Sequence, residues 1–94
     1  MTLYAGIDCG TQSTKVIIAD NRTARILGEG SAPHPMISES DGSREQEAVW
    51  WTDALETAFA QAIKNAGIDG RDIRALAVSG QQHGFVPVSH DGTV

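Results

Sequence analysis

Between Trp51 and Ala66 the apolar residues Trp51, Leu55, Ala58, Phe59, Ala62, Ile63 and Ala66 return every three or four positions. That spacing lays one apolar stripe along a helix. A stripe of this kind is not stable facing water, so the rest of the chain must give it an apolar surface to cover. The flanking residues agree with a helix that begins around Glu47. Glu45 and Glu47 stand near its positive end, Lys64 near its negative end, and Gly67 is a natural stop.

Strands supply the surface. Leu3 to Ile7 and Lys15 to Ala19 are rich in β-branched and aliphatic residues and read as an antiparallel pair. Asn21-Arg22-Thr23 is a turn, with Asn21 tolerant of the left-handed conformation. Arg25 to Gly30 then makes a third strand. From Ser31 to Ser43, Pro33 and Pro35 exclude regular helix, and Met36 and Ile37 are expected to pin this irregular link to the body. After the helix, Asp69 to Asp72 form a short connection. Ile73 to Ser79, Ile-Arg-Ala-Leu-Ala-Val-Ser, is a nearly continuous apolar run of the type buried on both faces of a sheet. A short strand from Gly84 to Val88 precedes Ser89-His90-Asp91-Gly92, where Asp-Gly signals a hairpin. The expected fold is therefore α/β: a three-stranded antiparallel meander, a long helix and a buried strand. One helix covers one face of a strand that wants two, so the 94 residues read as the front portion of a larger protein.

Composition narrows the function classes. A net charge of -5 argues against broad electrostatic binding of nucleic acid or anionic membrane. The single cysteine, Cys9, cannot form an internal disulfide, and no charged-plus-apolar leader precedes the first strand. No apolar run approaches the roughly 20 residues that span a bilayer. A cytoplasmic location is the expectation.

Two segments carry chemistry. In "DCGTQSTK" a carboxylate, a glycine and a file of hydroxyls sit between the first two strands. Gly10 lets a ligand approach and permits unusual dihedrals. Thr11, Ser13 and Thr14 offer hydroxyls, Gln12 an amide, and successive peptide N–H groups a concavity for an anion. Asp8 suits a hard divalent cation, while Lys15 reads as snorkelling at the strand edge. The set fits a metal–polyphosphate ligand without matching Walker A or G-x-G-x-x-G, and a plain polar hairpin turn explains it equally well. The second segment is "SGQQHG", Ser79 to Gly84, directly after the apolar run. Polar residues there line ligand crevices in α/β sheets, and Gln81, Gln82 and His83 could hold a polyhydroxylated molecule. A structural histidine in an ordinary loop is the competing explanation.

Taken together, "GIDCGTQSTKVIIAD", "EQEAVWW" and "ALAVSGQQHGFVPVSHDG" resemble the FGGY family of carbohydrate kinases, and within it the xylulokinases. The likeness covers essentially the whole chain. Family members are several times longer, with two actin-like ATPase (ribonuclease-H-like) domains closing on a cleft, so residues 1–94 would be the first part of the N-terminal domain. The resemblance implies ATP-dependent transfer of the γ-phosphoryl group to a sugar hydroxyl, with xylulose as the foremost acceptor and Mg²⁺ as the metal. Asp8 would be the metal-associated aspartate. Gly10, Thr11, Gln12 and Ser13 would face the ATP phosphates, and Gln82 and His83 the sugar. Methionine is common in the family where Gln82 stands, which leaves ribulose, fuculose, gluconate or glycerol open as substrates. Glu45 and Gln46 match an acidic-Gln pair, but Ser43 and Ala48 replace a usual Trp and Pro, so no ligand role is carried over there. Trp50 and Trp51 read as packing residues. The family's catalytic base lies beyond Val94, and Asp41, Asp53, Asp69, Asp72 and Asp91 read as surface. The resemblance leaves a second copy of the full-length protein open as a partner. A non-catalytic actin-like binding module is the alternative from another class.

Overall fold

The computed structural model describes residues 2–80 and 84–94. Strands β1 (Leu3–Cys9), β2 (Ser13–Asp20) and β3 (Arg25–Pro33) form the antiparallel meander. Each runs farther than its apolar residues indicate. A two-residue hairpin follows, β4 (Ile37–Ser38) against β5 (Arg44–Glu45), turning at Gly42 with φ of +93°. Helix α1 (Ala48–Ala66) then crosses the sheet, and β6 (Ile73–Gly80) pairs parallel to β1. The sheet order is β3-β2-β1-β6, with β1 interior.

Register decides which residues meet the helix. Partners across a ladder share a face and successive residues alternate. Leu3, Ala5 and Ile7 of β1 therefore share the helix face with Thr14, Val16 and Ile18 of β2 and with Gly28, Gly30 and Ala32 of β3. Val16, Ile18 and Leu3 are essentially sealed from solvent, each burial stabilising by about 1.5–3 kcal/mol. The helix answers with Ala54, Ala58 and Ala62, four residues apart on one face. Trp51, Leu55, Phe59 and Ile63 stay half-buried beside them.

The third strand runs past the expected Gly30 to Pro33, because Ser31, Ala32 and Pro33 pair with Lys15, Thr14 and Ser13, and its glycines are contact points with the helix. A Cβ on Gly28 would lie 2.6 Å from the Ala62 carbonyl oxygen, and one on Gly30 2.8 Å from the Ala62 nitrogen while overlapping the Ala58 carbonyl oxygen. Only glycine lets the helix backbone come that near. Beyond them, Ala32 and His34 are buried and anchor the link more firmly than the half-buried Met36 and Ile37. At the β2–β3 turn the left-handed residue is Ala24 (φ +57°) and not Asn21. The Asp20 carboxylate accepts from the Arg22 N–H at 2.9 Å, and the Asp20 carbonyl from the Ala24 N–H at 2.8 Å.

The helix closes as its sequence indicates. Gly67, at φ +68°, donates to the carbonyls of Ile63 and Lys64, the αL cap that glycine favours. At the other end Glu47 caps without a side-chain hydrogen bond. A single 3₁₀ turn, Gly70–Asp72, follows, with the Asp69 carboxylate accepting from the Arg71 N–H.

Two expectations need correction. The apolar run of β6 is not buried here: Leu76 and Val78 are 57% and 63% exposed. Helix α1 packs over β3 and β2, so their side chains, on the helix side of the sheet, lie past its cover. Residues Gly84 to Val88 form no strand, because no segment among the described residues pairs with them.

Candidate functional site at the β1–β2 turn

The polar loop is shorter than its composition suggests. Asp8 and Cys9 belong to β1 and Ser13 to β2, leaving Gly10, Thr11 and Gln12 as the connection. Asp8 is a cross-strand partner of Lys15 and, on the other side, of Ser79. By alternation Asp8, Ser13, Lys15 and Ser79 share the helix-free face of the sheet. Asp8, Lys15 and Ser79 line one shallow hollow of about 370 Å³, floored by Gly6, Ile17 and Ala77. Lys15 is thus a member of the site and not only an edge residue.

Thr14 faces the opposite way. It is fully buried under the helix and its hydroxyl donates to the Cys9 sulfur at 3.8 Å, so it is not available to a ligand. Gly10 is also a correction in detail, since its φ is not in the left-handed range. A Cβ there would press to 3.1 Å from the Ser13 carbonyl oxygen, and that oxygen accepts from the Gly10 N–H at 3.0 Å. Glycine spares the closure that crowding.

Thr11 and Gln12 are exposed at the tip, yet their carbonyls are held. The Gln12 oxygen accepts from the His34 backbone N–H at 3.0 Å. The Thr11 oxygen accepts from the Gln46 side-chain nitrogen at 2.8 Å. Gln46 also reaches the Pro35 carbonyl at 2.9 Å and His34 Nδ1 at 3.1 Å, while its oxygen accepts from the Trp51 indole at 2.9 Å. Sequence reasoning gave Gln46 no role, because a contact 35 residues away in the chain leaves no local signature. Trp51 both packs and donates.

Gln82 and His83 lie outside the described residues. Ser79 and Gly80, which lead into that segment, pair with Asp8 and Cys9. The first two residues of the second polar segment, Ser79 and Gly80, therefore lie at the end of the sheet next to the turn.

The Asp8 carboxylate has no hydrogen-bond or ion-pair partner among the described residues and is exposed. No group of three or more His, Cys, Asp and Glu side chains converges there or elsewhere among them. A free hard oxygen donor fits one position of a Mg²⁺ shell whose remaining ligands are phosphate oxygens and water, and it does not fit a metal held by protein alone. Carboxyls with depressed pKa lie elsewhere and serve turns. The Ser89 hydroxyl, followed by Thr93, brings Asp91 down to about 2. Arg71 lowers Asp69, and Ser43 lowers Asp41. With Asp53 and Asp72 they are exposed, as read from the sequence.

Residues 3–94 match the N-terminal domain of the FGGY family of carbohydrate kinases. The chain belongs to that family. It is 45% identical over its whole length to a xylulose kinase of an Arthrobacter species, covering 86% of that protein. It is 42% identical over 88 residues to the xylulose kinase of Haemophilus influenzae, which spans 89% of the chain but only 18% of the relative. This FGGY chain thus spans about a fifth of the length of that curated kinase. The crystal structure of a gluconate kinase from Lactobacillus acidophilus superposes with a TM-score of 0.85 at 25% identity, over 97% of the chain and 18% of that protein. The same arrangement of sheet and helix is found in sugar kinases of known structure. No helix among the described residues is long and apolar enough to cross a membrane.

Proposed function

We propose that residues 1–94 are the first part of the N-terminal domain of an ATP-dependent sugar kinase that phosphorylates a ketopentose, xylulose foremost. The observation that carries this reading is the place of Asp8. An unpaired carboxylate stands near the end of an interior strand, beside Lys15 and Ser79, two residues before the Gly10–Gln12 turn.

Each residue then has a defined task. Asp8 would hold a hydrated Mg²⁺. When bound, that ion neutralises charge on the phosphates. Gly10, Thr11, Gln12 and Ser13 present peptide N–H groups and hydroxyls to phosphate oxygens. Lys15 adds a positive charge within the same hollow. Gln82 and His83 contact the sugar hydroxyls, and the base that takes the hydroxyl proton is contributed from beyond Val94. The sugar oxygen attacks the γ-phosphorus, ADP departs, and one proton is released.

A second reading, phosphorylation of another sugar or polyol, rests on Gln82 and on the likeness to a gluconate kinase. The test is ADP release by the full-length protein carrying this segment, against ketoses, gluconate and glycerol. Preference for xylulose and loss of turnover on Asp8→Ala are expected. Unimpaired turnover in Asp8→Ala would remove the assignment and favour the binding-module alternative.

A further inference from the structure

We infer that Gln46 is the positioning residue of the β1–β2 turn, holding the Thr11 carbonyl so that the peptide N–H groups of Gln12 and Ser13 are presented to the phosphates. The inference rests on the proposed function for what the turn binds, and on the geometry around one amide for how the turn is held.

The orientation of that amide is fixed by chemistry. The Trp51 indole nitrogen can only donate, so the atom 2.9 Å from it must be the Gln46 oxygen. The amide nitrogen then faces the Thr11 carbonyl at 2.8 Å, the Pro35 carbonyl at 2.9 Å and His34 Nδ1 at 3.1 Å. Reversing the amide would set an oxygen against two carbonyl oxygens and an NH₂ against the indole N–H. Nδ1 of His34 is accordingly the acceptor, which leaves the ring hydrogen on Nε2, a buried nitrogen with no hydrogen-bond partner.

A trans peptide carries its N–H on the edge opposite its C=O, and no peptide among the described residues is cis. With the Thr11 oxygen drawn to Gln46, the Gln12 N–H faces away from Gln46. With the Gln12 oxygen drawn to the His34 N–H at 3.0 Å, the Ser13 N–H faces away from His34. Two successive donors are thereby set by two inward anchors. Gln46 is the side-chain anchor, itself seated on the first turn of α1 through Trp51. Preorganised donors act on developing phosphate charge without reorganisation in the reaction, so a loose turn should impair nucleotide use more than sugar binding.

The test uses the full-length protein with Gln46→Met, which keeps length and bulk but no polar hydrogen, and Trp51→Phe, which removes the indole donor together with part of the ring's bulk. Hydrogen exchange at the Gly10 and His34 amides is read beside kinetics with MgATP and xylulose. In Gln46→Met we expect exchange at those amides about tenfold faster and kcat/KM for ATP down about ten- to a hundredfold. The sugar KM and the exchange of β1 and β6 amides should not move, and Trp51→Phe should shift the same quantities less. Unchanged exchange at Gly10 and His34 would overturn the inference. So would a loss that lowers ATP and sugar use in proportion, which marks a merely structural role. Faster exchange with intact ATP kinetics, while Asp8→Ala abolishes turnover, would refute Gln46 as a positioning residue and leave the proposed function standing. Full turnover in Asp8→Ala would bring down both.

Discussion

On the face under α1 the sheet offers Gly28, Gly30 and Ala32 to Ala54, Ala58 and Ala62, whereas on the opposite face it offers Asp8, Ser13, Lys15 and Ser79 to solvent. Strands β1 and β2 contribute to both, since Ile7, Val16 and Ile18 face the helix. Under the helix, shape is everything: the backbones come so close that a single Cβ at two positions has no room. On the free face no helix is packed, and Asp8 and Lys15 stand exposed beside the uncharged Ile17 and Ala77. Stability and chemistry are thus separated by the thickness of one sheet, and a substitution should affect one or the other according to its parity along the strand.

Gly30→Val should break the covered face outright. Its side chain would meet the Ala58 carbonyl and the Ala62 nitrogen, and overpacking against backbone should remove about 3 kcal/mol or more. Urea titration followed by circular dichroism would show no cooperative transition, or one moved far down. A wild-type midpoint would mean that helix and strand are not in close contact. Asp8→Asn probes the free face. ADP release by the full-length protein should fall by about a hundredfold or more, with the urea transition within about 0.5 kcal/mol of wild type. Equal losses of stability and rate would erase the division between faces.

Gly67→Ala sharpens the comparison from the helix end, off both faces. Its φ of +68° should make the change destabilising by about 1 kcal/mol and leave nucleotide KM untouched, which denaturation and initial-rate measurements would show. The smallest effect is expected at Asp91. Its carboxyl, held at about 2 by Ser89 and Thr93, supports the Ser89–Thr93 turn fully above the ordinary 3.8. That support is withdrawn as pH falls through about 2. Proton NMR should show the Ser89 and Thr93 amides shifting across that window, with β1 and β2 resonances unaffected by this turn.

Much of this arrangement was legible in the amino-acid order. The stripe from Trp51 to Ala66, the two β-branched runs and the glycine at 67 have local causes, and each produced its element. Ser31 to Pro33 read as a loop from their serine and proline, and only the pairing with Ser13 to Lys15 shows that the strand continues through them. The run from Ile73 to Ser79 has the composition of a strand covered on two faces, yet composition carries no information about where α1 would lie. Asp8 and the turn after it were visible as a polar cluster. That Thr14 faces the core and Lys15 the hollow follows from strand parity, which needs the true strand ends. Gln46 was visible only as half of an acidic-Gln pair, because Thr11, His34 and Pro35 are distant from it in sequence.

The position of β1 has a consequence for synthesis. Its ladder with β2 forms between chain neighbours, while its ladder with β6 waits until residue 80 has left the ribosome. The meander and α1 can assemble first from local contacts, with one flank of β1 unzipped throughout. The Gly10–Gln12 bend is therefore shaped early in the life of the chain, and Ser79 arrives beside Asp8 only after α1 has been made. Slow translation between Ala66 and Gly80 would prolong exposure of that flank and invite strand exchange between nascent chains.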